Sequence, residues 1–307
     1  FEDKANLYCS GGNINAELVN VLDRDGFANH GSLNYNTTWI DFLMYVQGAI
    51  DNYARYNEND LFENPKFAKM FSVYTPFTLT SKYTAQIGDS GYTGSLTFEC
   101  PTMENLIYAY ERLGDSEIAK QIYLMSGMNY ENIHDDIMKA DPEAIAEKIK
   151  AVIETEGYYL ESEMLTGAGF AVLRDGEFIE SVGANATYDS QRDFWMYFGW
   201  TEGHGHMGSL NLGMDAYGYN FAPDFGYPEG ANSSPERRWM DGTLAHNTVT
   251  VNTKNQIETE KSTNPLHFDA GKYVGVMDVD SSEVYAETKE YRRTLVSVKV
   301  SDEVSYG

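Results

Sequence analysis

A change of hydrophobic period near residue 160 constrains this chain more than any other feature. Before it, apolar residues recur at helical spacing. In "TTWIDFLMYVQGAIDNY", Trp39, Phe42, Leu43, Val46, Ala49, Ile50 and Tyr53 follow the i, i+3, i+4, i+7 pattern of one buried stripe. "TMENLIYAYERLGDSEIAKQIYLMSG" reads as two helices broken at Gly114. "DPEAIAEKIKAVIETEG" offers Asp141 as N-cap, Pro142 at the first helical position and Gly157 past the end. After residue 160 the segments are short, β-rich and bounded by turn residues: "GAGFAVLRDGEFIES", "DFWMYFGW", "SLNLGMDAYGYNF", "HNTVTVN" and "YRRTLVSVKV". Helices first and strands second predict an α+β chain with separate layers, a helical bundle or toroid over residues 1–158 and an antiparallel β-sandwich over 159–307.

Composition narrows the function classes. The 307 residues are 42% hydrophobic and 14% aromatic, ample for packed cores. The formal charge of −25 excludes the broad basic face by which proteins hold nucleic acid or anionic membranes. It does not exclude an anionic substrate in one locally positive cleft. No apolar run reaches membrane-span length. Cys9 and Cys100 could pair, but two thiols decide nothing about compartment. Without an initiator Met or signal peptide, the chain is expected to be a fragment or processed piece of a longer protein.

Two of the six histidines stand one residue apart in "HGHMGSLNLGMDAYGYNFAPDFGYPEG". On an extended strand, His204 and His206 would face one cleft. Asp224 could return beside them through a hairpin, and His246 opens the β-like run "HNTVTVN". Two imidazoles and a carboxylate suit zinc; a set of satisfied structural histidines is the plain alternative.

These residues carry a resemblance. "GHGHMGSLNLGMDAYGYNFAPDFGYPEG" followed by "RRWMDGTLAHNTVTVNTKNQ" resembles the β-domain core of the heparinase II/III superfamily of polysaccharide lyases. That family's pattern is an H-x-H strand, a D-x-G after the next strand and an H-N-T-V strand. "LTGAGFAVLRDG" and "EYRRTLVSV" resemble flanking strands, and "DRDGFANHGSLNYNTTW" resembles the segment that places the catalytic tyrosine. The resemblance implies an N-terminal incomplete (α/α) toroid before the sandwich. It implies β-elimination on a uronic-acid polysaccharide, with Tyr35 as base, acid or both, and His204 as a second proton-transfer or substrate-orienting group. Asn29 and His30 are implied to neutralise the uronate, although the asparagine usual for that task falls before Phe1. A tyrosine base would need its pKa lowered from about 10. His206, Asp224 and His246 are implied to hold a zinc ion that is mainly structural. Many relatives have H-x-H-x-D, whereas this chain has Gly208 at the last position.

Tyr83 and Tyr92, beside the "GDS" turn, are reserve candidates for Tyr35. Arg237 and Arg238 are expected to be an exposed, salt-bridged loop pair, and His134 and His267 to be ordinary surface or boundary residues. Trp200 and Trp239 could stack on sugar or pack in a core. Other classes remain open: a glycoside hydrolase using Asp25 and Asp89, or a zinc-stabilised carbohydrate-binding module without catalysis. Long polysaccharides are normally met outside the cytoplasm, so a secreted or periplasmic location is expected.

Overall fold

The computed structural model describes residues 14–53, 55, 60–92, 96–134, 141–176, 190–227, 234–301 and 304–307. Cys9 and the end of the "GEFIES" segment lie outside these residues. The helical half contains α1 (Ile14–Asn20), α2 (Leu33–Asp51), α3 (Pro65–Lys69), α4 (Tyr74–Phe77), a small hairpin of β1 (Thr78–Leu79) and β2 (Tyr83–Thr84), α5 (Met103–Leu113), α6 (Ser116–Met125) and α7 (Pro142–Glu156). Local chemistry sets the later boundaries. Gly114 ends α5 in the left-handed region at φ 64°, and the Asp115 carboxylate accepts the Glu117 N–H at the start of α6. Asp141 accepts from the Glu143 and Ala144 N–H groups, with Pro142 in the first turn of α7. Each such cap is worth about 1 kcal/mol.

The strand-rich half holds two antiparallel sheets. β3 (Glu163–Leu165), β4 (Phe170–Asp175), β5 (Arg192–Tyr197), β6 (Asn211–Ala216) and β7 (Tyr219–Asn220) pair in sequence order. After a short helix, α8 (Pro235–Met240), come β8 (Asn264–Ala270), β9 (Val274–Asp280), β10 (Arg292–Lys299) and β11 (Ser305–Tyr306), in the order β11-β10-β9-β8. Each of β4 and β5 carries an unbroken run of four apolar residues, 170–173 and 194–197, because both their faces are covered there. Phe170, Val172, Trp195 and Tyr197 join the core of the helical half, with the Phe170 ring 4.3 Å from Phe77. Their alternate neighbours Ala171, Leu173, Phe194 and Met196 pack with Met277, Val279 and Leu295 of the second sheet. The first sheet is therefore a middle layer between helices and the second sheet. Among the described residues no helix is long and apolar enough to cross a membrane.

The structure corrects three local readings. The buried stripe of α2 runs through Leu33, Asn36, Ile40, Leu43, Gln47 and Ile50, while Phe42 is 62% exposed and Tyr53 is also exposed. An apolar-only pattern missed it because two stripe positions are polar and satisfied. Asn36 accepts from the Ala28 N–H and donates to the Tyr74 hydroxyl, and Gln47 accepts from the Leu61 N–H. Second, His204 and His206 stand in a turn ahead of β6, not on a strand. Third, residues 246–250 form no strand. Polar side chains tie that run to the start of β6 instead: the Asn247 N–H donates to Asn211 Oδ1 and the Thr248 hydroxyl to the Ser209 carbonyl.

Candidate active site

The G-D-S turn, residues 88–90, organises the site from the helical half. Ser90 Oγ accepts the Leu33 N–H at 2.9 Å and so caps α2, whose first turn carries Tyr35. The Asp89 N–H donates to the His204 carbonyl at 2.9 Å. Gly88 makes that approach possible. It has φ +54°, and a Cβ there would lie 2.3 Å from the His204 carbonyl oxygen. One turn thus fixes the helix bearing the phenol and the loop bearing the imidazole.

The Tyr35 and His204 rings stack in van der Waals contact, with centroids 3.4 Å apart and planes 11° from parallel. His30 lies beside this pair, 5.6 Å from His204 and 6.1 Å from Tyr35, and meets Trp39 edge to face at 5.7 Å. The Tyr35 hydroxyl is 3.2 Å from the Tyr227 hydroxyl. Asp89 is fully buried. Its Oδ2 lies 2.8 Å from both His204 Nδ1 and Arg237 Nη2, and its Oδ1 lies 3.1 Å from His206 Nε2. Although burial pushes the Asp89 carboxyl up, hydrogen bonds from His206, His204 and Arg237 outweigh it and hold the group below the usual range. An ionised Asp89 can only accept, so His204 donates through Nδ1, and the neutral imidazole in that tautomer has its lone pair on Nε2.

The Tyr35 phenol is pushed up to about 12, first by its hydrogen bond to Tyr227, then by burial, by the Tyr227 charge and by Asp89, against a lowering by Arg237. This is opposite to the shift a tyrosine base needs; Tyr35 keeps its proton near neutral pH. Burial, then proximity to His204, lowers the His30 pKa, so its ring is neutral there as well. His30 can donate a hydrogen bond but brings no positive charge.

Beneath this stack lies a second cluster. His206, Asp224 and His246 are all buried and bring ligand-type atoms within 4.8 Å of one another. His206 Nδ1 and His246 Nε2 are buried with no hydrogen-bond partner, while the opposite nitrogens are engaged by carboxylates: His206 Nε2 by Asp89, His246 Nδ1 by Asp224 at 2.7 Å. Asp241 Oδ1 adds a carboxylate oxygen 3.3 Å from His206 Nε2. A Cβ at Gly208 would lie 3.0 Å from the His246 ring, so glycine leaves that imidazole its place.

Comparison with known proteins bears on the fold. Residues 161–297 match the family model described as heparinase II/III-like, C-terminal. The fold of the chain is similar to that of heparan sulfate lyase HepC from Pedobacter heparinus, at TM-score 0.58 and 17% identity over 92% of this chain and 38% of that one. It is also similar to a heparinase III (TM-score 0.62, 16% identity, 91% of this chain and 39% of that one). A further likeness is to the heparinase III BT4657 gene product (TM-score 0.60, 18% identity, 94% and 38%). The chain thus spans less than two fifths of the length of these solved structures. No curated protein sequence matches it.

The structure brings Tyr35, His204 and His30 together, and His206, Asp224 and His246 together. It does not bring Asn29 to the stack. Asn29 lines a separate cavity of about 300 Å³ with Asn20, Asp23, Trp200 and Lys261, because the backbone turns between Asn29 and His30. Tyr83 is buried on Asp215, and Tyr92 is a surface residue whose ring edge meets Tyr227. Arg237 is a correction: it is only 8% exposed and ion-paired to Asp89 and Asp241. Sequence reasoning missed Asp241 and Tyr227, considered Asp89 only for a hydrolase, and placed Arg237 on an exposed loop. The "GDS" turn was the one local signal.

Proposed function

We propose that this chain carries the elimination centre of a polysaccharide lyase acting on a uronic-acid polymer. The observation that carries the reading is the stack of Tyr35 on His204, one ring from each half of the fold, with His204 oriented by a buried carboxylate. Elimination requires a base at C5 of the uronate and an acid at the oxygen leaving C4. His204 has the lone pair for the first task, and Tyr35, protonated at neutral pH, has the proton for the second. No sugar ring fits between rings 3.4 Å apart, so the substrate meets their edges. His30 donates a hydrogen bond toward the uronate carboxylate, stabilising the charge that develops beside C5.

Because base and acid are in contact, they serve the same face of the sugar. This favours uronates whose C5 hydrogen and C4 oxygen leave from one side, the D-glucuronate arrangement, over L-iduronate. The helical half is read as part of an incomplete (α/α) toroid, with the substrate groove along its junction with the first sheet.

His206, Asp224 and His246 would hold a zinc ion; two imidazoles and a carboxylate gathered in one buried cluster are donors of the right chemistry. When bound, the ion ties the loop before β6, the loop after β7 and the segment after α8 into one unit. Asp89 and Asp241 supply the carboxylate support of His206 that Gly208 does not. A hydrolase using Asp25 and Asp89 finds no support: Asp25 is committed to the Gly167 and Ala168 N–H groups, and Asp89 to His204, His206 and Arg237. A secreted or periplasmic setting follows from the size of such a substrate. The reading is tested by supplying uronate polysaccharides to the full-length protein and following ultraviolet absorbance of the C4–C5 double bond, with Tyr35→Phe as control.

A further inference from the structure

Tyr227 is held from three directions. Its backbone N–H donates to the Gly91 carbonyl at 2.8 Å, next to the G-D-S turn. The Tyr92 ring meets it edge to face at 5.9 Å. The Arg237 guanidinium, from α8, stands 5.8 Å from its ring centre. So fixed, it presents its hydroxyl 3.2 Å from that of Tyr35. Gly226 sets this position: its N–H donates to Asp224 Oδ1 at 3.0 Å, and its φ of +61° turns the chain toward Tyr35. A tyrosine on an unconstrained loop would gain nothing from such bracing.

We infer that Tyr227 is a positioning residue that aims the Tyr35 hydroxyl and keeps it protonated until it gives its proton to the leaving oxygen. The inference rests on the lyase reading. In the resting site the Tyr35 hydroxyl donates to Tyr227. During elimination His204 takes the C5 proton, the C5–H electron pair becomes the C4–C5 double bond, and the C4–O4 bond breaks with its electrons on O4. O4 takes the Tyr35 proton. Solvent then returns the proton from the His204 imidazolium to Tyr35, so charge and protons balance over the cycle. The groups facing Tyr35 are Tyr227, Asp89, Arg237, His204 and His30. Two of these oppose each other, since Asp89 disfavours the phenolate and Arg237 favours it.

The test is Tyr227→Phe in the full-length protein, with Tyr35→Phe beside it. Phenylalanine keeps the ring contacts with Tyr92 and Arg237 and removes only the hydroxyl. The inference expects kcat to fall roughly tenfold or more with KM little changed. It also expects the alkaline limb of the kcat profile to move to lower pH, because Tyr35 loses the hydroxyl partner that most favours its neutral form. Parental kcat and an unmoved alkaline limb in an active enzyme would overturn it. So would a change confined to melting temperature or KM. If the parent forms no unsaturated product from any uronan, the lyase reading itself has failed, a result separable from failure at Tyr227.

Discussion

Asp89 Oδ2 lies 2.8 Å from His204 Nδ1 and also 2.8 Å from the Arg237 guanidinium, so one buried carboxylate orients the imidazole and is itself held by a cation. Asparagine at this position has one acceptor where three donors converge. Asp89→Asn is expected to release His204 from its tautomer and lower kcat roughly a hundredfold to ten-thousandfold. It also leaves Arg237 poorly paired, at a stability cost of about 3 kcal/mol. Steady-state kinetics and a thermal melt on the same preparation check both effects. Unchanged kcat with a lower melting temperature would leave Asp89 a purely structural role.

The shared face of Tyr35 and His204 makes a stereochemical prediction. Oligosaccharides of defined sequence carrying D-glucuronate at the cleavage point should be cut faster than their L-iduronate epimers. Chromatography of paired substrates, with the unsaturated product identified by mass, checks it; equal rates on both epimers would contradict a same-face mechanism.

Metal analysis of the purified protein should find one zinc ion per chain. His246→Ala should lose it and lower the melting temperature. Gly208→Ala, whose new Cβ would crowd the His246 ring at 3.0 Å, should weaken zinc binding roughly tenfold or more. A melting temperature indifferent to chelator would count against a structural ion.

Stability should also depend on pH through Asp215, which lies under the helical half where it accepts from the Tyr83 hydroxyl and the Trp195 indole. Burial, partly offset by those two bonds and joined by repulsion from Asp193, pushes its carboxyl up to about 7 from 3.8. The fold prefers the protonated form. This contribution is therefore fully present below about 4 and is lost as pH rises through about 7. Asp215→Asn never ionises, but it sets an amide N–H against one of the two donors. Its melting temperature should fall below the parent's at acidic pH, and the gap should narrow as pH rises above neutrality. A gap that stays constant across a melting series in pH would contradict the shift.

Much of this was legible in the sequence because it is local. Caps at Asp115 and Asp141, the stops at Gly114 and Gly157, and the apolar runs of β4 to β6 and β10 each depend on residues within a few positions. The pairing of Tyr35 with His204 was reachable only through family likeness, because the G-D-S turn that joins them is 115 positions from His204 at Asp89. Arg237 looked like a surface residue because nothing near it in sequence shows that α8 packs over a buried carboxylate. The spacing of His204 and His206 suggested a strand, yet both reach Asp89 from a turn; one carboxylate with two oxygens can collect them without any pleat. His267 does lie exposed on β8, which sequence alternation did not mark because Pro265 and a register shift interrupt it.

Ultraviolet absorbance of the reaction product bears most directly on the account. Full-length protein supplied with a glucuronate-containing polysaccharide should accumulate chains ending in a C4–C5 unsaturated uronate, and Tyr35→Phe and His204→Ala should each slow this at least roughly a hundredfold without loss of fold. New reducing ends without the double bond, or parental rates in either variant, would contradict it.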